Sequence, residues 1–317
     1  MLSHSRRSDI EVVLATYQGA RFLAPQLQSI ANQQVRPVRV QIGDDGSTDG
    51  TVTELAQWAS TAPFPIHQLP CSRTGPLGPA ANFGRLLAAT TAPWVALCDQ
   101  DDVWHPSKLD RLLGRLPEDD QIPTLFVHDL RVVNRTDDLI AGSFWRHQRF
   151  TPRGGARFST LLVMNSFPGC AMLANRALLT CALPVPSEAV MHDWWLALVA
   201  AACGRIIVVN EALGDYRLHG NNVLGAPTAG WWSRIRERRW FDRRGQALAM
   251  RQCLDQATAM QACGLPLSAT ARVTLDRFLA CLDGPNWRRP FALWRNGNIK
   301  TYWPRNLRFL AGSLQAF

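Results

Sequence analysis

The chain has 317 residues, 47% of them hydrophobic and 19% charged. These values exclude global disorder and leave room for one large α/β domain plus an appendage. The net charge of +9 raises nucleic acid or an anionic membrane as partners for a basic surface.

In chain order, Ile10–Thr16 is a continuous apolar run, as in a parallel strand buried on both faces. A helical pattern follows over 21–33, with Phe22, Leu23, Leu27 and Ile30 on one side. Val38–Ile42 reads as a second strand, a helix spans about 51–60, Phe64–Leu69 is a third strand and 80–89 another helix. The fourth strand, Trp94–Cys98, delivers the sequence Asp99-Gln100-Asp101-Asp102, and Pro106 opens the next helix at a first-turn position. Alternation of this kind predicts a doubly wound nucleotide-binding sheet, with ligand beyond the C-terminal strand ends. The acidic clusters fall at those ends. Further on, 125–129, 131–134, 205–210 and 213–218 read as four strands, with a helix from about Val190 to Cys203.

Three carboxylates within four residues after a buried strand are costly unless a positive charge compensates them. The sequence places no basic residue beside them, so a divalent cation, Mg²⁺ or Mn²⁺, with a substrate diphosphate is the expected compensation. A solvated loop capping the next helix is the plainer alternative. Asp44-Asp45-Gly46-Ser47-Thr48-Asp49-Gly50 suits either turn formation or acceptance of a uracil or thymine imide N–H by a carboxylate. Asp193, at the start of the 190–203 helix, either complements the helix dipole or serves as a general base; His192 beside it has a weaker claim. His219 closes the last strand, as an ordinary surface histidine or as a further metal ligand, and Arg217 could meet phosphates. In Asn165-Ser166-Phe167-Pro168-Gly169-Cys170, glycine permits close backbone approach to a ligand, or simply a turn. Neither GxGxxG nor GxxxxGK[ST] occurs.

Taken in order, VVLATYQGARFLAPQLQSI, GDDGSTDGT, CDQDDVWHPSKL, PGCAMLANRAL, HDWWLAL and YRLHGNNVLG resemble the family 2 glycosyltransferases of GT-A fold over about residues 9–225. The last two motifs and the Asp-Gln-Asp-Asp-Val-Trp form most resemble the branch that transfers rhamnose into bacterial surface polysaccharides. The resemblance implies a GT-A domain over 1–225 and a helical C-terminal region over 226–317. It implies that Thr16, Tyr17 and Asp44 or Asp45 hold the nucleoside, and that Asp99, Gln100 and Arg217 serve the nucleotide sugar. Asp99, Asp101 and His219 would ligate the metal, with Asp102 in support, and Asp193 would be the base of a single inverting displacement. The donor expected is dTDP-rhamnose and the acceptor a polyprenyl-diphosphate-linked saccharide. A UDP-hexose donor, or a catalytically silent sugar-nucleotide-binding scaffold, are the alternatives. The family often has Glu-Asp where this chain has His192-Asp193, and the segment Gly75-Pro76-Leu77-Gly78-Pro79 is richer in proline than usual.

The excess charge belongs to the C-terminal third: residues 225–317 hold fifteen basic and five acidic side chains and six of the twelve tryptophans. Tryptophan among arginines favours an anionic membrane over nucleic acid, because zinc-ligand spacing and a recognition-helix pattern are both missing. The expected contact is Trp231, Trp232, Ile235 and Trp240 in the lipid interface, with Arg234, Arg236, Arg238 and Arg239 on headgroups. The longest apolar block, Trp194–Cys203, is too short to span a bilayer, and Met1–Asp9 is short and polar, unlike a signal peptide. Eight cysteines without a CxxC pair suit a reducing compartment. The expected location is therefore the cytoplasm, on the inner membrane face.

Overall fold

Ile10, Val12, Val13 and Leu14 are all buried, so Ile10–Thr16 forms a strand (β1) covered on both faces. In the computed structural model, residues 9–71, 75–219, 243–283 and 286–301 are described, with 306, 309, 310, 313 and 314 beyond them. Strand β1 pairs in parallel with β2 (Arg39–Asp44) and β4 (Trp94–Asp99), and β2 with β3 (Ile66–Leu69). Helices α1 (Ala20–Ala31), α2 (Thr51–Thr61) and α3 (Pro79–Ala88) join them. The first four strands thus form the parallel half that the sequence predicts.

The second half is less regular. Strand β5 (Val103–Trp104) and helix α4 (Lys108–Leu113) precede β6 (Thr124–Val133) and the short β7 (Leu139–Ala141). Strand β8 (Met172–Asn175) runs antiparallel between β4 and β6, and helix α5 (Arg176–Ala182) follows it. Helix α6 (His192–Cys203) leads into β9 (Arg205–Arg217), parallel to β6 and antiparallel to β5. The sheet order is β3-β2-β1-β4-β8-β6-β9-β5, with β7 on β6.

Three expectations are corrected here. The pieces 125–129 and 131–134 are one strand, and so are 205–210 and 213–218. Polar residues that read as breaks are irregularities within the β6–β9 pairing, where the register shifts around Asp129. The Asp129 carboxylate is consumed locally, accepting from Leu130 N at 2.9 Å and Trp145 N at 3.2 Å. Pro106 does not open α4; the helix begins at Lys108 after Ser107, and Pro106 lies in the preceding turn, closed by Lys108 N donating to His105 O.

Both faces of the sheet are covered by packed side chains. One core holds Val12, Leu14, Leu23, Leu27 and Ile30; the other gathers Phe83, Leu86, Trp195 and Leu198. Three C-terminal helices, α7 (Arg243–Ala262), α8 (Ala269–Asp283) and α9 (Arg289–Arg295), insert Met250, Ala257, Leu275, Phe278 and Leu293 into that second core. The Trp231–Trp240 segment lies outside the described residues.

Candidate active site

The C-terminal ends of β1 and β4, the residues just past β9 and the start of α6 open onto one cleft of about 1010 Å³. Thr16, Tyr17, Asp45, Asp99, Gln100, Asp101, Asp193 and His219 line it; Asp44 and Arg217 are not among its lining residues.

Asp44 instead rigidifies the turn after β2. Its carboxylate accepts from Thr16 Oγ1 and the Ser47 hydroxyl on one oxygen, and from Gly46 and Ser47 N–H on the other, all within 3.0 Å. Asp45, 4% exposed, clamps the proline-rich segment, accepting from Leu77 N and Gly78 N at 2.8 Å each. That segment, whose function the sequence left open, brings Pro76, Gly78 and Pro79 to the cleft wall.

Gln100 works through Tyr17. Its side-chain oxygen accepts from Tyr17 N and its amide donates to Tyr17 O, both at 2.8 Å, fixing the backbone at the tip of β1. A Cβ on Gly19 would stand 2.0 Å from Gln100 Oε1, so only glycine leaves room for this pair. Gly19→Ala is expected to raise donor KM roughly tenfold, equivalent to about 1.4 kcal/mol. Steady-state kinetics checks this, with circular dichroism confirming an intact fold.

The acidic cluster has partners that the sequence separates widely. Lys108 is fully buried, donates to Cys170 O at 2.6 Å and lies 3.7 Å from the Trp104 ring centroid. Burial lowers its pKa to about 8, while Asp102 and Asp99 lie close enough to oppose that fall. Arg217, 2% exposed, donates from Nε to Asp101 O at 2.9 Å, from its backbone N to Asp102 at 3.2 Å, and pairs with Asp137. His219 Nε2 meets the Asp101 carboxylate, and its ring stacks on Phe22. The expectation of an uncompensated cluster is therefore corrected: Lys108 and Arg217 supply positive charge from α4 and β9. Burial still holds the Asp99 carboxyl well above the usual carboxylate range, with Asp102 and Asp101 adding to the effect, and raises Asp102 to about 7.

Asp193 is 6% exposed at the start of α6. It accepts from Asn165 Nδ2 at 3.0 Å, Gly169 N at 3.1 Å and Trp194 N at 2.6 Å. The glycine of the 165–170 loop thus approaches the carboxylate of Asp193. Burial raises the Asp193 pKa to about 6, against the lowering effect of those three bonds. The two tryptophans beyond it anchor the helix: Trp194 Nε1 donates to Leu161 O at 2.6 Å and Trp195 Nε1 to Ala182 O at 2.8 Å. His192 is 2% exposed and stacked on Phe83 at 3.9 Å, and burial lowers its pKa to about 3, so its ring is neutral.

Sequence reasoning missed Asn165, Lys108 and the wall formed by Phe144, Phe150 and Met164. Asn165 stands three residues before the PGCAML stretch, in the loop already noted for its glycine. Lys108 carries no local signal, since a lysine after a proline turn ordinarily reads as solvated.

The cluster fits a hard divalent cation. Asp102 Oδ2 is buried with no hydrogen-bond partner among the described residues, and Asp99, Asp102 and Cys170 bring donor atoms within 4.8 Å of one another. Burial keeps the Cys170 thiol well above its usual pKa and so protonated, which leaves oxygen donors, the kind that Mg²⁺ and Mn²⁺ prefer.

A parallel half-sheet, an acidic cluster at its strand ends and a buried carboxylate across the cleft define the GT-A class of glycosyltransferase. The model of Glycosyl transferase family 2 matches residues 11–180, and the chain belongs to that family. An uncharacterized glycosyltransferase of Nostoc sp. is 28% identical over 228 residues, 69% of this chain and 68% of that one. The dTDP-rhamnosyl transferase RfbG of Shigella flexneri is 32% identical over 107 residues, 32% of this chain and 36% of that one. Among solved structures, S. aureus TarS 1–349 with UDP-GlcNAc superposes with a TM-score of 0.57 at 13% identity, covering 97% of this chain and 90% of that one. The Pyrobaculum calidifontis mannosyltransferase PcManGT, with GDP-Man and Mn²⁺, gives 0.54 at 17%, covering 97% and 86%. Among the described residues no helix is long and apolar enough to cross a membrane.

Proposed function

We propose that this glycosyltransferase inverts configuration at a deoxyhexose, transferring L-rhamnose from dTDP-rhamnose to a polyprenyl-diphosphate-linked saccharide at the inner face of the cytoplasmic membrane. The observation that carries the reading is Asp193: a carboxylate with a raised pKa, fixed by three donors, in the cleft that also holds Asp99 and Asp101. Its proton affinity suits a general base near neutral pH. Asp193 takes the proton of an acceptor hydroxyl as the oxygen bonds to the anomeric carbon, and the bond from that carbon to the nucleoside diphosphate breaks. One base suffices for a single displacement.

Asp99 and Asp101, with His219 and with Asp102 in support, would hold Mg²⁺ or Mn²⁺; when bound, the cation neutralises charge on the departing diphosphate. Thr16 and Tyr17 face the nucleoside, with Asp45 and the loop it clamps beside them. Asp44 and Gln100 hold the nucleoside-binding turn and Tyr17 in place. Arg217, engaged by Asp101 and Asp137, serves the substrate by fixing the acidic loop. The choice of rhamnose is supported by the RfbG match. A panel of dTDP-rhamnose, UDP-glucose, UDP-galactose and UDP-GlcNAc, each with Mg²⁺ or Mn²⁺, tests the donor: turnover of dTDP-rhamnose alone is expected. Preferential turnover of a UDP-hexose would replace the donor assignment, and inactivity with every donor would favour the scaffold role.

A further inference from the structure

Helix α9 is apolar on two opposite sides. Leu293 is fully buried in the core and Arg289 is 6% exposed, yet Trp287, Phe291 and Trp294 are 69%, 63% and 52% exposed. The three aromatics follow one another at intervals of four and three residues, so they form one stripe along the helix and the turn before it. The rings of Phe291 and Trp294 are 6.1 Å apart, and the Arg288 guanidinium lies 4.5 Å from the Trp287 ring centroid. Residues 286–301 contain four basic side chains and no acidic one; Arg288 and Arg295 are exposed beside the stripe.

Exposed aromatics in a contiguous patch mark an interaction surface. Aromatic rings and arginine are both enriched in protein–protein interfaces; what favours a lipid surface here is charge of one sign, four basic side chains and no acidic one over residues 286–301. Aromatic rings at headgroup depth, with cationic side chains reaching phosphates, are the pattern of a helix lying in a membrane interface.

We propose that the Trp287–Phe291–Trp294 face of α9, with Arg288 and Arg295, docks the enzyme on an anionic lipid surface. This deepens the reading of a lipid-linked acceptor and rests on it. The face is rigidly tied to the cleft. Asn298 Nδ2 donates to Ser159 O at 3.0 Å, and the single-turn helix Phe158–Leu161 runs on into Met164 and Asn165 of the cleft wall. Docking therefore sets the height of the cleft above the headgroups.

The test is vesicle flotation of the full chain without substrates, so its failure leaves the transfer reading untouched. Vesicles are phosphatidylcholine alone or with roughly one third phosphatidylglycerol. Wild type is expected to float with anionic vesicles and at least about 25-fold less with neutral ones. The variant Trp287→Ser/Phe291→Ser/Trp294→Ser is expected to lose at least roughly tenfold in partitioning. Arg288→Gln/Arg295→Gln should lose about 25-fold on anionic vesicles, about fivefold per arginine. All five side chains point outward, so melting temperature and transfer to a water-soluble acceptor should be unchanged. Undiminished flotation of the aromatic variant overturns the proposal, as does equal binding to both vesicle types. So does self-association, read by light scattering and abolished in that variant, without vesicle binding.

Discussion

Asp193→Asn is expected to lower kcat by roughly 10²–10⁴-fold, the contribution of a positioned general base, while donor KM changes less than about twofold because the residues proposed to hold the nucleotide lie on the other wall. The amide nitrogen would replace one carboxylate oxygen and leave either Gly169 N–H or the Asn165 and Trp194 donors without an acceptor, costing about 1–3 kcal/mol. Kinetics should therefore be measured well below the variant's melting temperature. The wild-type pH profile supplies a second reading. Burial raises Asp193 to about 6, so below that pH the carboxyl carries a proton and cannot take another. Transfer should therefore rise with pH through about 6 and then level off. Substantial activity in the Asn variant would show that another group is the base.

Lys108→Met is expected to destabilise the fold by on the order of 3 kcal/mol, because it removes a buried charge-assisted hydrogen bond to Cys170 O and a cation near Asp99 and Asp102. For a chain of this size that is a fall in melting temperature of roughly 4–5 °C, measurable by calorimetry. Activity should suffer as well, since the strand-end carboxylates lose the charge that holds them ready for a cation. Methionine retains most of the volume, so a cavity would not account for the loss. An unchanged melting temperature would show that Arg217 alone compensates the cluster.

Much of this architecture is visible in the residues themselves. Continuous apolar runs mark β1 and β4, because a strand covered on both faces has no polar side to display, and the alternation of Val38, Val40 and Ile42 marks β2. The same logic places Asp99, Asp101 and Asp193 at element ends. It fails where polar residues sit inside the sheet: Asp129 in β6 and Asn210 in β9 read as breaks, although the irregular register absorbs them. Strand β5, two residues long, has no period to detect. The division of labour between Asp44 and Asp45 was equally hidden, since adjacent identical side chains differ only in which backbone N–H groups they meet. Lys108 illustrates the general limit, for its partner Cys170 lies 62 positions away and only the packed sheet brings them together.

Strand β8 runs against both of its neighbours and so returns the chain across the middle of the sheet. One side of the cleft is thereby built from residues 15–22, 45 and 76–83, and the other largely from 144–169. Two such blocks, separate along the polypeptide, are natural units for chimeras. Under the proposed function, grafting the later block between homologues is expected to exchange what is glycosylated while leaving the activated sugar unaltered.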